Sequence, residues 1–150
     1  MEAFLGTPKK DEKTVDVWID GSCEPINPNG TACGAYVIKI NDTLVEKTGK
    51  VIGSGEGMTN NVAEFQALIF ALQKLKQLSL SREYIKIKSD SELLVGAINR
   101  KCQIKDHKLQ PLFRTAKDLL RCIHYQIEWI PREKNEEADA LTHAAYSRSK

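Results

Sequence analysis

Apolar and polar residues alternate along residues 15–20, Val15-Asp16-Val17-Trp18-Ile19-Asp20. A period of two is the mark of a half-buried strand. Gly21-Ser22 is expected to end it. Residues 23–30, with two prolines, two asparagines and a glycine, read as a loop. The pattern predicts a second strand over residues 32–40, a hairpin turn at Asn41-Asp42 and a third strand over residues 44–52. The chain thus opens as an antiparallel meander, followed by a glycine-rich flexible connector over residues 53–57.

The period then changes. Val62, Phe65, Leu68, Ile69, Leu72, Leu75 and Leu78 recur at helical spacing. A fourth strand over residues 84–88 ends at Ser89-Asp90, and a short helix is predicted over residues 91–99. Another helix is predicted over residues 108–122, with Pro111 in its first turn, where a missing N–H is harmless. A fifth strand over residues 125–130 is stopped by Pro131. A final helix starts near Asn135 and presents Ala138, Leu141 and Ala145 on one face. The order βββαβααβα implies an α/β domain, a mixed sheet with helices on both faces. At 150 residues one domain is expected, over residues 15–146, between polar tails at 1–14 and 147–150.

Composition narrows this only slightly. A net charge of +2 permits a nucleic-acid partner without arguing for one. Cys23, Cys33, Cys102 and Cys122 form no CxxC, and the three histidines are scattered, so no zinc spacing appears. Neither a leader nor an apolar run of membrane length is evident. Reduced thiols and a cytoplasmic location are expected, as is a free-standing protein, from Met1 and the polar tails.

The chemistry lies in four acids: Asp20, Glu64, Asp90 and Asp139. Each sits at the edge of a predicted strand or in the opening turns of a predicted helix. Each also has a purely structural reading. Asp20 suits a turn. Glu64 completes a capping box with Asn61 as N-cap. Asp90 could cap the next helix. Asp139 suits a helix dipole, a task that Glu136 and Glu137 perform equally well. Their coincidence favours a shared site, because ligands gather at the carboxyl ends of strands in α/β sheets. Acids brought together repel unless a cation neutralises them. Carboxylate oxygens suit Mg²⁺ or Mn²⁺ far better than zinc.

Ile19-Asp20-Gly21-Ser22-Cys23, Thr59-Asn60-Asn61-Val62-Ala63-Glu64, Ser89-Asp90-Ser91 and the run from Trp129 to Asp139 follow one another in the order of a known family. With these pieces the chain resembles a type 1 ribonuclease H over residues 15–146. The resemblance implies a ribonuclease H-like fold, a five-stranded mixed sheet with strands one to three antiparallel. It implies endonucleolytic cleavage of the RNA strand of an RNA/DNA hybrid, giving 5′-phosphate and 3′-hydroxyl ends. It also implies two Mg²⁺ ions, with Mn²⁺ as substitute. Asp20 would bridge both, joined by Asp139 at one and by Glu64 and Asp90 at the other. Backbone groups of Gly21, Ser22 and Cys23 and the side chains of Asn60 and Asn61 would meet the RNA, and Thr59 a DNA phosphate. Two ions about 4 Å apart clamp both sides of an in-line displacement, so no protein nucleophile is needed. Discrimination against DNA rests on the 2′-hydroxyl.

The chain departs from the pattern in two places. Many relatives carry a histidine in the loop before the last acid; here residues 131–135 are Pro-Arg-Glu-Lys-Asn. Arg132, or else Glu133, is the expected substitute. His143, four residues after Asp139, falls on the same helix face and is expected to be a partly buried helix residue. Some relatives also carry a basic, Trp-containing protrusion, replaced here by the short run 100–108. Weaker hybrid binding follows, and a monomer is expected. Activity on RNA/RNA duplexes stays open. A 3′–5′ exonuclease is disfavoured because Asp20-Gly21-Ser22 lacks the second acid of an Asp-x-Glu. A catalytically silent nucleic-acid-binding module is disfavoured by the presence of all four acids.

Overall fold

The computed structural model describes residues 13–150. Its strands are β1 (Thr14–Glu24), β2 (Thr31–Ile40), β3 (Thr43–Ser54), β4 (Tyr84–Ser89) and β5 (His124–Trp129). Its helices are α1 (Asn60–Gln77), α2 (Glu92–Ile98), α3 (Gln110–Leu120) and α4 (Glu136–Ser149), with a single 3-10 turn at Arg132–Lys134. The sheet order is β3-β2-β1-β4-β5. β1, β2 and β3 pair antiparallel, while β4 pairs parallel with β1 and β5. The expected mixed sheet and element order are both present. The amino-terminal tail lies outside the described residues save its last two, of which Thr14 already belongs to β1. At the other end α4 runs through residues 147–149, so that stretch is a helical turn.

The β2–β3 hairpin follows from its turn. Asn41 and Asp42 adopt φ of 51° and 64°, the left-handed pair that a tight hairpin requires. The expected break at Gly21-Ser22 does not occur. β1 continues to Glu24, and Gly21 lies opposite Gly34 of β2. The reason for glycine is approach rather than termination. A Cβ at Gly21 would lie 2.4 Å from the Ala63 carbonyl carbon and the Glu64 nitrogen. The strand is bare there so that the first turn of α1 can rest on it.

The same logic separates the layers. Gly21 and Gly34 share a face, and a Cβ at Gly34 would meet Ala67 of α1 at 3.4 Å. Gly49 of β3 pairs with Ala35, the next position along β2, so it faces the opposite side. A Cβ there would lie 2.3 Å from the Leu141 oxygen of α4. α1 and α4 therefore cover opposite faces of the sheet. The main core lies under α1, where Val15, Val17, Ile19, Ile85 and Ile87 meet Phe65, Leu68, Leu72 and Leu75. Phe113 of α3 packs edge-on against Phe65 at 6.3 Å. Each such side chain contributes about 1.5–3 kcal/mol on burial.

Two caps differ from expectation. Thr59, not Asn61, caps α1, its Oγ1 accepting from the Val62 N–H at 3.0 Å. Ser91, not Asp90, caps α2, accepting from the Leu94 N–H at 3.1 Å. Both corrections release an acid, Glu64 and Asp90, from a capping role.

Candidate metal centre

β1 and β4 stop pairing at Ile19 and Ser89. Asp20 and Asp90 are the next residues, so they stand side by side where the parallel pair parts, Asp90 just past the carboxyl end of β4 and Asp20 within β1, which runs on to Glu24 against β2. Gly21 admits the first turns of α1, which bring Glu64 to the same point. One carboxylate oxygen from each of Asp20, Glu64 and Asp90 lies within 4.8 Å of the others. Asp139, in the opening turns of α4, lies outside this trio but hydrogen-bonds to Asp20. All four expected acids thus converge, three tightly and one alongside Asp20.

Burial makes this costly. Asp20 is 4% exposed and Glu64 8%. Burial, then the Asp90 and Asp139 carboxylates, raise Asp20 from 3.8 to about 8, against the opposing hydrogen bond from the Gly21 N–H. Burial, then Asp20 and Asp90, hold Glu64 well above the usual carboxylate range; Arg132 and the Gly21 N–H act the other way. Glu64 Oε1 is buried with no hydrogen-bond partner. Buried oxygen donors that lack protein partners and resist ionisation fit a divalent cation, which would replace their protons and end their repulsion.

Asn135 was not singled out as a site residue. At the start of a helix it reads as a cap, and it holds that position in α4, yet its side chain makes no cap bond. It turns inward instead. At 1% exposure, its Nδ2 donates to the Ile19 carbonyl at 2.8 Å and to Asp90 Oδ2 at 3.4 Å. One amide thus ties the middle of β1 and the start of α4 to an acid of the centre. The Trp129 indole N–H donates to the Asp90 carbonyl at 3.2 Å, and the ring is 47% exposed beside the site.

The expected substrate contacts differ in availability. Gly21 directs its N–H toward the acids. Ser22 Oγ is buried without a partner. Cys23 turns its thiol into the fold, donating to the Ile26 and Met58 carbonyls at 3.2 and 3.6 Å. Thr59 spends its hydroxyl as the α1 cap. Asn60 and Asn61 are exposed at the start of α1, the helix that carries Glu64. Arg132 is exposed in the 3-10 turn, near enough to favour an ionised Glu64. His143, expected to be partly buried, is instead exposed and contacts Asp139. The run 100–108 links α2 to α3, and Arg100, Arg114 and Lys117 rim a cavity of about 720 Å³. Among the described residues no helix is long and apolar enough to cross a membrane.

Residues 19–145 match the model of a family described as reverse transcriptase-like. The chain is 30% identical over 132 residues to ribonuclease HI of Halobacterium salinarum, covering 87% of this chain and 63% of that protein. It is 32% identical over 123 residues to a bifunctional protein of Mycobacterium tuberculosis, covering 79% of this chain but 32% of that one. The chain therefore spans less than two thirds of the length of these relatives. Among solved structures it is similar to ribonuclease H1 of Halobacterium salinarum, with a TM-score of 0.80, 29% identity and coverage of 90% and 98% of the two chains. It is also similar to LC11 ribonuclease H1, solved in complex with an RNA/DNA hybrid, with a TM-score of 0.82, 28% identity and the same coverage.

Proposed function

The chain belongs to the reverse transcriptase-like family as a type 1 ribonuclease H, and from that premise we propose that it cuts the RNA strand of RNA/DNA hybrids internally. The products would carry 5′-phosphate and 3′-hydroxyl ends. The observation that carries the reading is the convergence of Asp20, Glu64 and Asp90 within 4.8 Å, with Asp139 bonded to Asp20. That division supports two divalent ions, Mg²⁺ or its substitute Mn²⁺. Asp20, Glu64 and Asp90 would hold one, Asp20 and Asp139 the other. Bound there, such ions supply an activated water and neutralise the leaving oxygen.

The chain's own residues do the placing. Asn135 fixes Asp90 through its amide. Gly21 brings Glu64 onto β1 and offers its N–H to two of the acids. Asn60, Asn61 and the backbone from Gly21 to Cys23 would meet the 2′-hydroxyl edge of the RNA strand. Thr59, its hydroxyl committed to the helix cap, would meet a DNA phosphate through its backbone and the start of α1. Arg132, exposed beside Glu64, would carry the part of the absent loop histidine in releasing product. An Arg132→Ala enzyme is expected to turn over more slowly; unchanged turnover refutes that role. The protein would act as a monomer in the cytoplasm.

The deciding experiment offers labelled RNA/DNA, RNA/RNA and DNA/DNA duplexes and single-stranded RNA with Mg²⁺, to wild type and Asp20→Asn. Internal cuts confined to the RNA of the hybrid, and lost in Asp20→Asn, are expected. Parallel cutting of RNA/RNA would widen the substrate class. Hybrid binding without cleavage under Mg²⁺ or Mn²⁺ would reduce the protein to a binding module.

A further inference from the structure

The imidazole of His143 stands between two carboxylates that come from opposite ends of the domain. Its Nδ1 lies 2.8 Å from Glu24 Oε2, at the end of β1, and its Nε2 lies 3.4 Å from Asp139 Oδ1, one turn earlier in α4. Nδ1 and the Glu24 carboxylate approach to ion-pair distance, so Nδ1 is the nitrogen turned toward β1. Glu24 Oε2 is itself buried with no hydrogen-bond partner. A buried carboxylate oxygen needs a donor, and the imidazole of His143, 2.8 Å away, is the group placed to become one. Although the His143 side chain is 55% exposed, this close contact at Nδ1 sets the direction of its ring. Setting that direction sets where Nε2 points, and it points at Asp139.

Asp139 is the acid with the most to gain from such a neighbour. Asp20 and Glu64 are locked by burial, and Asp90 is held by Asn135. Asp139 stands outside the tight trio, with 39% of its side chain exposed. Asp20 meets its carboxyl on one side and His143 on the other.

We propose that Glu24 and His143 form a strut that orients Asp139 toward Asp20, His143 as a positioning residue of the metal centre and Glu24 as its anchor. The proposal rests on the metal-centre reading above. Partners of this kind set the orientation of a ligand rather than touching the substrate, and their removal typically costs 10–100-fold in metal affinity or activity.

The test titrates Mn²⁺ calorimetrically into the full chain and measures hybrid cleavage with Mg²⁺, for wild type, His143→Ala, Glu24→Gln, Glu24→Ala and Asp139→Asn. Thermal melts confirm that each variant folds. His143→Ala should weaken Mn²⁺ binding and lower kcat by about tenfold or more, with KM for the hybrid unchanged. Glu24→Gln keeps an acceptor for Nδ1–H and should stay near wild type, whereas Glu24→Ala should repeat the His143→Ala loss. Weakened Mn²⁺ binding in Asp139→Asn, with His143→Ala at wild-type affinity and kcat, overturns the strut alone. Wild-type Mn²⁺ affinity in Asp139→Asn overturns the metal-centre reading and the strut with it.

Discussion

Asp16 and Asp20 occupy the same face of the same strand, two repeats apart with Trp18 between them, and the molecule treats them in opposite ways. Asp16 meets a cation: Lys88 Nζ of β4 lies 3.1 Å from its Oδ1 and 4.2 Å above the Trp18 ring. Lys39 approaches the same ring at 5.3 Å and pairs with Glu137 at 3.1 Å. Asp20 meets acids: Glu64 and Asp90 within 4.8 Å, and Asp139 through a hydrogen bond. The chain places lysines where a stable sheet face calls for them and leaves them out two repeats further on. A fold that pairs one aspartate and crowds the next with like charges has left the second to be neutralised from outside.

The largest effects should come from breaking the crowded end. Asp20→Asn is expected to lower hybrid cleavage about a thousandfold, as loss of a preorganised charge-stabilising group does. The same change should stabilise the metal-free protein at pH 8 by about 2 kcal/mol, roughly 4–8 °C in Tm. The sign follows from the direction of the shift. Asp20 ionises near 3.8 when unfolded and near about 8 when folded, so the folded state holds its proton more tightly. The stability this contributes is complete below 3.8 and is lost as pH rises to about 8. Metal-free wild type should therefore melt lower at pH 8 than at pH 5, with the difference reduced in Asp20→Asn. Thermal melts in chelator at the two pH values check this; a higher Tm at pH 8 would contradict it.

Gly21→Ala comes next. Its methyl would meet the backbone of Ala63 and Glu64 at 2.4 Å, where neither neighbour is a flexible side-chain end. A loss of about 2–3 kcal/mol is expected by denaturant titration, with cleavage reduced because Glu64 must move. Asn135→Ala removes a buried donor from the Ile19 carbonyl and should cost about 1–3 kcal/mol. It should also lower kcat by freeing Asp90, readable as a kcat change at constant KM. The paired end should respond least. Asp16→Asn is expected to change stability by no more than about 1 kcal/mol and cleavage not at all, because its ion pair is part-exposed.

The same contrast explains what could be read from the sequence. The four acids were legible because strand alternation or helical periodicity begins or runs out beside each in the sequence, although Asp20 itself lies inside the longer β1. The Asn41-Asp42 turn and the α1 stripe were legible because their signals are local. Gly21 was misread as a strand breaker, because its purpose, admitting α1, depends on a segment some forty residues away. Asn61 was taken for the α1 cap when Thr59 fills that position, since three adjacent polar residues each carry capping chemistry. The role of Asn135 was hidden for a similar reason: its partner, the Ile19 carbonyl, lies 116 positions earlier. The spacing of His143 from Asp139 was visible in the sequence, but Glu24, which anchors its ring, was not.

The most direct measurement is a calorimetric titration of Mn²⁺ into metal-free wild type and Asp20→Asn at pH 7, in two buffers of different ionisation enthalpy. With Asp20 at about 8 in the empty site, most molecules carry its proton at that pH. Binding to wild type should then release protons from the raised acids Asp20 and Glu64, and Asp20→Asn should bind far more weakly and release fewer. Binding of equal strength in both proteins, or binding to wild type without proton release, would contradict the assignment of these acids as the metal centre.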